Sequence, residues 1–142
     1  MRARWLLGLL LAACSADASD VDDPAWLDGK EDGASAVDVA ATHLDVDVAA
    51  RTAVATIELE KTGNVELEIG DLQIDSVVDD RGNRKFKIAG GKLRVSSVRG
   101  AMAITYSFKQ HDMANGLLPG GSTVIWPYFC GNLFPCHSKP AD

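Results

Sequence analysis

The stretch Met102-Ala-Ile-Thr-Tyr-Ser-Phe108 decides the fold class. Apolar residues alternate there with small or polar ones, so Met102, Ile104, Tyr106 and Phe108 share one face of an extended strand. The same period of two recurs in short segments separated by turn-forming residues, for example at Gly90-Gly91. The other predicted strands are His43–Val48, Thr52–Leu59, Val65–Ile69, Leu72–Val78, Arg84–Ile88, Leu93–Val95 and Thr123–Trp126. The pattern predicts an all-β fold, an antiparallel saddle-like sheet or sandwich of about seven to eight short strands.

The composition is that of an ordinary one-domain globular protein with a negative charge. The chain has 142 residues, 46% of them hydrophobic and 24% charged, and its formal net charge is −6. Nucleic acid and anionic lipid surfaces both require clustered lysine and arginine. The charge therefore argues against both classes of partner.

The N-terminus has the features of an export signal. A basic leader, Met1-Arg-Ala-Arg4, precedes an apolar run from Trp5 to Leu11, which is too short for a membrane span. The run ends in Leu11-Ala-Ala-Cys14, which resembles a bacterial lipobox. That resemblance implies cleavage after residue 13, a lipid on Cys14 and a location in the bacterial cell envelope, with Ser15 favouring the outer membrane. The alternative is an ordinary signal peptide and a periplasmic or secreted protein.

An acidic linker is predicted between this signal and the β-domain. Residues 14–36 contain seven acidic side chains and a single lysine among alanine, serine and glycine. Such a segment repels itself and buries little apolar area, so we expect a disordered tether. The cluster Asp20, Asp22 and Asp23 lacks the glycine and distal glutamate of a calcium loop. The predicted organisation is therefore a signal peptide at 1–13, a linker at 14–36 and a β-domain at 37–142.

The number of cysteines agrees with lipidation of the first one. If Cys14 carries a lipid, Cys130 and Cys136 remain as a pair in a compartment that permits disulfides. We expect a small disulfide ring, the alternative being two buried thiols. A zinc site is not expected here, because Cys130, Cys136 and His137 lack paired cysteine spacing and a fourth ligand.

The sequence shows no catalytic set. His43, Asp45 and Asp47 share one face of a predicted strand, but alternation places that face in solvent, and the pair His111-Asp112 falls in a predicted loop. There is no H-E-x-x-H zinc helix, no G-x-S-x-G turn and no phosphate loop. We therefore predict no catalytic residue, no metal ligand and no cofactor in this chain.

Four segments resemble a known family. Leu44–Ile57, Leu72–Val77 and Gly91–Val95 are similar to opening strands of the N-terminal β-domain of aminopeptidase N-like zinc metallopeptidases. Phe134-Pro-Cys-His-Ser-Lys-Pro140 is similar to that family's Phe-Pro-Cys-x-Asp-Glu-Pro motif. The resemblance covers about residues 40–142.

The resemblance implies a saddle of β-sheet packed on a thermolysin-like zinc domain, with the motif loop near the active-site cleft. The motif residues of that loop are Phe134, Pro135, Cys136 and Pro140. Zinc would belong to the catalytic domain, beyond residue 142. Two departures concern recognition of the substrate's free amine: residues 124–127 contain no glutamate or glutamine, and Ser138-Lys139 replaces the acidic pair.

Two functional hypotheses follow. In the first, the chain is a fragment, incomplete at its C-terminus, that forms the non-catalytic substrate-cleft and packing domain of a lipid-anchored zinc metallopeptidase. Trp126, Tyr128, Phe129 and Phe134 would then lie unburied until the partner domain covers them. In the second, the chain is a stand-alone β-sandwich lipoprotein that binds a protein or peptide partner.

Overall fold

The computed structural model describes residues 37–112, 115–125 and 130–137, and within these ranges the fold is all-β. The signal peptide, the linker, Cys14, Trp126, Tyr128, Phe129 and Pro140 lie outside the described residues. The described part has no helix of the length and apolarity that a membrane span requires. The strands are β1 Val39–Asp47, β2 Thr52–Leu59, β3 Gly63–Glu68, β4 Gln73–Asp79, β5 Gly82–Asn83, β6 Lys87–Ala89, β7 Lys92–Val98, β8 Ala101–Ser107, β9 Gly116–Leu117 and β10 Thr123–Val124.

The strands form antiparallel sheets that pack as a sandwich. The larger sheet has the order β1-β2-β8-β4-β5, the smaller one has the order β3-β7-β6, and β9 pairs with β10. Inner-facing side chains from the two larger sheets form one hydrophobic cluster. The all-β prediction is therefore confirmed, and the third sheet is a short hairpin of two-residue strands.

The alternation of apolar residues predicts the core correctly on the central strands. In β8 and in β2, every second residue is buried, as the two-residue period requires. Burial of each large apolar side chain among them contributes about 1.5–3 kcal/mol of transfer free energy. The side chains of these two strands in the core are Ala53, Ala55, Ile57, Leu59, Met102, Ile104 and Tyr106.

The predicted hairpin at Gly90-Gly91 is present between β6 and β7. Both glycines have positive φ, 60° and 73°, the backbone combination of a two-residue hairpin turn whose twist matches that of the flanking strands. The pairing of Ala89 with Lys92 fixes the register of this turn. The two glycines thus bring β6 and β7 together in the smaller sheet.

One predicted strand, Arg84–Ile88, is confirmed only in its last two residues, which lie in β6. The chain leaves the larger sheet after β5 and joins the smaller sheet only at β6, so residues 84–86 form a crossing segment. The cause is Arg84, whose buried guanidinium donates from Nη2 to the carbonyl of Ser96 at 3.0 Å. A similar shortening affects the last strand, which is limited to Thr123–Val124 among the described residues.

A buried carboxylate, Asp79, organises this crossing. Its oxygens accept hydrogen bonds from the backbone N–H of Arg81 at 2.9 Å and from Arg81 Nη2 at 3.0 Å. Arg84 Nε lies 3.6 Å from Asp79 Oδ2. Because Arg81 and Arg84 also donate to the carbonyls of Ser97 and Ser96 in β7, the Asp79 cluster ties the two sheets together.

The first strand differs from expectation in its burial. Leu44 and Val46 lie opposite Ala55 and Ala53, so they share the core-facing side of the larger sheet. Both remain exposed nonetheless, because β1 is the edge strand of a five-stranded sheet whose inner face is covered by only three strands. Val48, predicted on the same face, lies in the turn after β1.

Candidate functional site: the cleft at the disulfide loop

The two cysteines predicted to pair do so. Cys130 and Cys136 are joined through their sulfur atoms, with 6.0 Å between their Cα atoms. This separation is typical of disulfides. The segment from Cys130 to His137, called the disulfide loop below, is therefore closed on itself.

The disulfide loop is also hydrogen-bonded to the edge of the smaller sheet. Glu68 N–H donates to the carbonyl of Cys136 at 2.7 Å, and Cys136 N–H donates to the carbonyl of Glu68 at 3.0 Å. This pair of bonds is an antiparallel bridge next to β3, and it satisfies backbone groups that an uncovered edge would leave open. Pro135 lies fully buried between these contacts and the core.

Tyr106 of β8 supports the disulfide loop from below. Its hydroxyl donates to the carbonyl of Leu133 at 3.0 Å, while its ring lies fully buried in the core. Burial raises the pKa of Tyr106 to about 12, so the hydroxyl stays protonated and remains a donor at neutral pH. A core side chain thus fixes the height of the loop above the sheet.

Asn132 fixes the other side of the loop against the turn between β3 and β4. The Asn132 side chain accepts a hydrogen bond from Asp71 N–H at 3.0 Å, and its backbone N–H donates to Ile69 at 3.3 Å. Asn132 has a φ of 70°, a conformation that asparagine tolerates better than most residues. It lies directly against Gly70, where no side chain intervenes.

An open cleft of about 440 Å³ lies between the disulfide loop and the beginning of β1. The disulfide loop contributes one wall, and β1 with the end of β2 contributes the other. The lining side chains are Cys130, Phe134, Cys136 and His137 on the first wall and Asp38, Val39, Thr42 and Glu60 on the second. The cleft is therefore apolar on part of one side and acidic on the other.

The acidic wall is held by the backbone. Glu60 N–H donates to the carbonyl of Asp38 at 3.4 Å, which extends the pairing of β1 and β2 to the mouth of the cleft. Both residues are exposed, and neither carboxylate makes an ion pair with another described residue. This pair of carboxylates can attract a primary amine, a lysine or an arginine side chain.

The motif residues are arranged around this cleft. Phe134 and Cys136 line it, and Pro135 lies buried beneath. Phe134 is partly buried against the core, so it is less exposed than the fragment hypothesis expects. Pro140, Ser138 and Lys139 lie outside the described residues.

The histidines and carboxylates considered from the sequence do not converge. His43 Nε2 lies 3.3 Å from Glu58 Oε1 on the outer face of the larger sheet, away from the cleft. His111 Nε2 faces Asp71 Oδ1 at 3.4 Å rather than the neighbouring Asp112. No three metal-ligating side chains come together anywhere in residues 37–112, 115–125 and 130–137.

Sequence reasoning missed Asp38 and Glu60. They lie 22 positions apart in the chain and come together only because β1 folds back on β2. The sequence shows only that Glu60 directly follows the predicted strand Thr52–Leu59 and that Asp38 lies five residues before His43, where charged residues normally indicate an exposed position. Nothing in the spacing pointed to a shared cleft with residues 130–137.

No protein-family model matches the sequence, and no curated protein matches it significantly. The function is therefore argued from the geometry of the cleft.

Reduction of the disulfide is expected to lower the free energy of unfolding by about 2 kcal/mol, because the short ring no longer restricts the unfolded chain. The measurement is urea unfolding of the oxidised chain with and without a reductant. The fold should survive, since the bridge between Cys136 and Glu68 and the bond from Tyr106 do not depend on the sulfur atoms. A Cys130→Ser/Cys136→Ser variant should not respond to reductant, and a response there would contradict this account.

Proposed function

We propose that this chain is the non-catalytic N-terminal domain of a lipid-anchored zinc metallopeptidase of aminopeptidase N type. It lines the peptide cleft with the disulfide loop and packs against a separate catalytic domain. The observation that carries the proposal is the position of Phe134 and Cys136, the family-like motif residues, on the wall of an open cleft.

The rigidity of the disulfide loop supports this role. The disulfide, the bridge to Glu68 and the hydrogen bond from Tyr106 hold the loop from three directions. A loop that is already ordered loses little conformational entropy when a peptide binds. The cleft is therefore suited to positioning a ligand rather than to folding around it.

The charge of the cleft favours a peptide with a free amine or a basic side chain. Asp38 and Glu60 lie on the wall opposite the disulfide loop. They would compensate for the amide or acidic residue that residues 124–127 lack. In this proposal, hydrolysis and the zinc ion belong to the catalytic domain, and the lipid on Cys14 holds the assembly at the cell envelope.

A second candidate function uses the same cleft without an enzyme. A stand-alone β-sandwich lipoprotein would bind a protein or peptide through the acidic wall and Phe134. The bridge between Cys136 and Glu68 favours this alternative, since the chain satisfies the end of the β3 edge with its own residues. The reading frame that follows residue 142 in the gene distinguishes the two. A downstream H-E-x-x-H with a distal glutamate supports the peptidase, and none within several hundred codons leaves the stand-alone protein.

Peptide binding by the cleft is tested with the full chain and fluorescein-labelled short peptides. We expect binding of a peptide with a free N-terminal amine, measured by fluorescence anisotropy, and weaker binding of its N-acetylated form. Asp38→Asn/Glu60→Gln should weaken binding of the free-amine peptide by about tenfold, because charge-assisted hydrogen bonds are lost.

The control is Asp75→Asn, which removes one exposed carboxylate of β4 that does not line the cleft. It should leave peptide affinity unchanged. Equal binding of the acetylated and free peptides, or equal loss in the control and the cleft variant, would refute recognition of the amine by Asp38 and Glu60.

A further inference from the structure

The first strand presents a long open edge. β1 has nine residues and ends the five-stranded sheet, where β2 is its only partner among residues 37–112, 115–125 and 130–137. The other edge strands of the described part are shorter: β5 and β6 have two and three residues, and β3 has six and is bridged by Cys136 at Glu68. Exposed edges of this length are templates for pairing with another strand.

The register shows which backbone groups of β1 point outward. Leu59 N–H donates to Gly100 next to β8, so odd-numbered residues of β2 face β8 and even-numbered ones face β1. The partners of Thr56 and Val54 are His43 and Asp45, whose backbone groups are therefore used inside the sheet. It follows that Thr42, Leu44 and Val46 direct their N–H and C=O groups away from the sheet.

The same residues carry an apolar surface. The side chains of Leu44 and Val46 are 43% and 38% exposed, although they lie on the core-facing side of the sheet. Residues 42–46 include no proline and no lysine, the residues that commonly protect sheet edges. The bulge in β1 lies between Val39 and Ala41, outside this segment.

We propose that the β1 edge pairs antiparallel with β1 of a second copy of this chain, about a two-fold axis at Leu44. In this register Leu44 faces Leu44 of the second copy, and Thr42 faces Val46. All the outward N–H and C=O groups of these three residues then find partners, and a ten-stranded sheet runs through both copies.

Side-chain complementarity selects this register. With the axis at Leu44, His43 of each copy lies opposite Asp45 of the other, which gives two cross-strand pairs of an imidazole with a carboxylate, on the same face where His43 Nε2 lies 3.3 Å from Glu58 Oε1 of its own chain. An axis at Asp45 would place the two Asp45 carboxylates opposite each other, and an axis at His43 would place two imidazoles together. Both alternatives still allow the outward N–H and C=O groups to form hydrogen bonds between the strands. However, they place identical side chains opposite each other.

The chain's own linker is a poorer occupant of the edge. Residues 14–36 contain seven acidic side chains and one lysine, and β1 carries Asp45 and Asp47. Pairing the two would oppose carboxylates along the strand. A second copy, in contrast, brings a histidine to each Asp45.

The pairing is expected to be weak and to depend on concentration. A single strand–strand contact buries less surface than the roughly 1,200–2,000 Å² of stable interfaces. Sedimentation velocity of the full chain should therefore show a monomer that converts to a dimer as its concentration rises.

The register is tested by disulfide trapping in the full chain. Directly opposed Cα atoms of a hydrogen-bonded pair lie about 5.5 Å apart, within disulfide reach, so Leu44→Cys should give a reducible dimer on mild oxidation. In Val46→Cys the two new thiols lie about 13 Å apart along the strands and should not cross-link. The parent chain, with its three cysteines, sets the background. Equal trapping in both variants, or in neither, would overturn the proposal.

Exchange of the charged pair gives a second test. His43→Asp should weaken dimerisation by about tenfold, because each imidazole–carboxylate pair becomes two opposed carboxylates. His43→Asp/Asp45→His restores the pairs with reversed direction and should recover the dimer. Failure of the double variant to recover the dimer while its thermal unfolding is unchanged would also overturn the proposal.

Discussion

Replacement of Gly70 by alanine is expected to lower the free energy of unfolding by about 3 kcal/mol and to displace the disulfide loop from the sheet. Gly70 has a φ of 56°, and an added Cβ would lie 2.9 Å from the backbone nitrogen of Asn132 and overlap its side chain. The clash falls on the residue that joins the disulfide loop to the turn after β3. Urea unfolding measures the loss, and weaker amide protection at Asp71 and Cys136 would report the displaced loop.

Gly90→Ala is the matched control for this effect. Gly90 has a φ of 60°, almost the same backbone conformation, but nothing lies within 4 Å of the position that a Cβ would take. It should therefore show only the backbone strain of alanine, about 1 kcal/mol. Equal losses at positions 70 and 90 would mean that contact with Asn132 does not contribute.

Asp79→Asn is expected to lower the free energy of unfolding by about 3 kcal/mol. The substitution keeps the shape of the side chain but removes the charge that faces Arg81 and the buried Arg84. Loss of one partner from a buried ion pair is costly, because the remaining charge stays away from water without compensation. Asp80→Asn is the control, since Asp80 is exposed and lies 3.9 Å from Arg81. It should change stability by less than about 1 kcal/mol.

The stability of the folded state should also decrease as the pH is lowered, because of the Asp79 carboxylate. Burial tends to raise the pKa of Asp79, but hydrogen bonds from Arg81 and the charges of Arg81 and Arg84 outweigh it and hold the pKa below its ordinary value. Burial also acts to raise the pKa of Glu66, and its bonds to Lys92 and Arg94 likewise lower it overall.

Carboxyl groups with lowered pKa stabilise the folded state fully above the unfolded-state pKa of about 4, and this contribution is lost as pH falls through the folded-state pKa. Urea unfolding at a series of pH values should therefore show a loss below about pH 4. Asp79→Asn should flatten the curve and leave the part due to Glu66. An equally steep curve in the variant would contradict this assignment.

The sequence predicts the fold correctly for strands that have one buried face, because apolar and polar side chains alternate along them. Met102, Ile104 and Tyr106 show the pattern because the sheet above them excludes water. Leu44 and Val46 have the same alternation but remain exposed, since burial depends on how far the second sheet extends, which alternation does not encode. The sequence predicts a strand at Arg84 because a single charged residue carries no sign that it turns inward to a buried carboxylate.

The candidate site was accessible only in part. The pairing of Cys130 and Cys136 can be predicted because the two residues lie close together in the chain and remain as a pair if Cys14 carries a lipid. The acidic wall depends on Asp38 and Glu60, and the support of the loop depends on Tyr106, all of which are distant from the loop in the chain. Such contacts are set by the packing of whole sheets, and a single sequence contains no direct signal of them.

The bridge between Glu68 and Cys136 also bears on how the chain is made. The two residues are 68 positions apart, so the residue that bridges the end of β3 is synthesised long after the strand itself. During translation the hairpins can form early from neighbouring segments, but the bridge at the end of β3 must wait until residue 136 is available. Misassembly at this end of β3 is therefore most favoured during this interval.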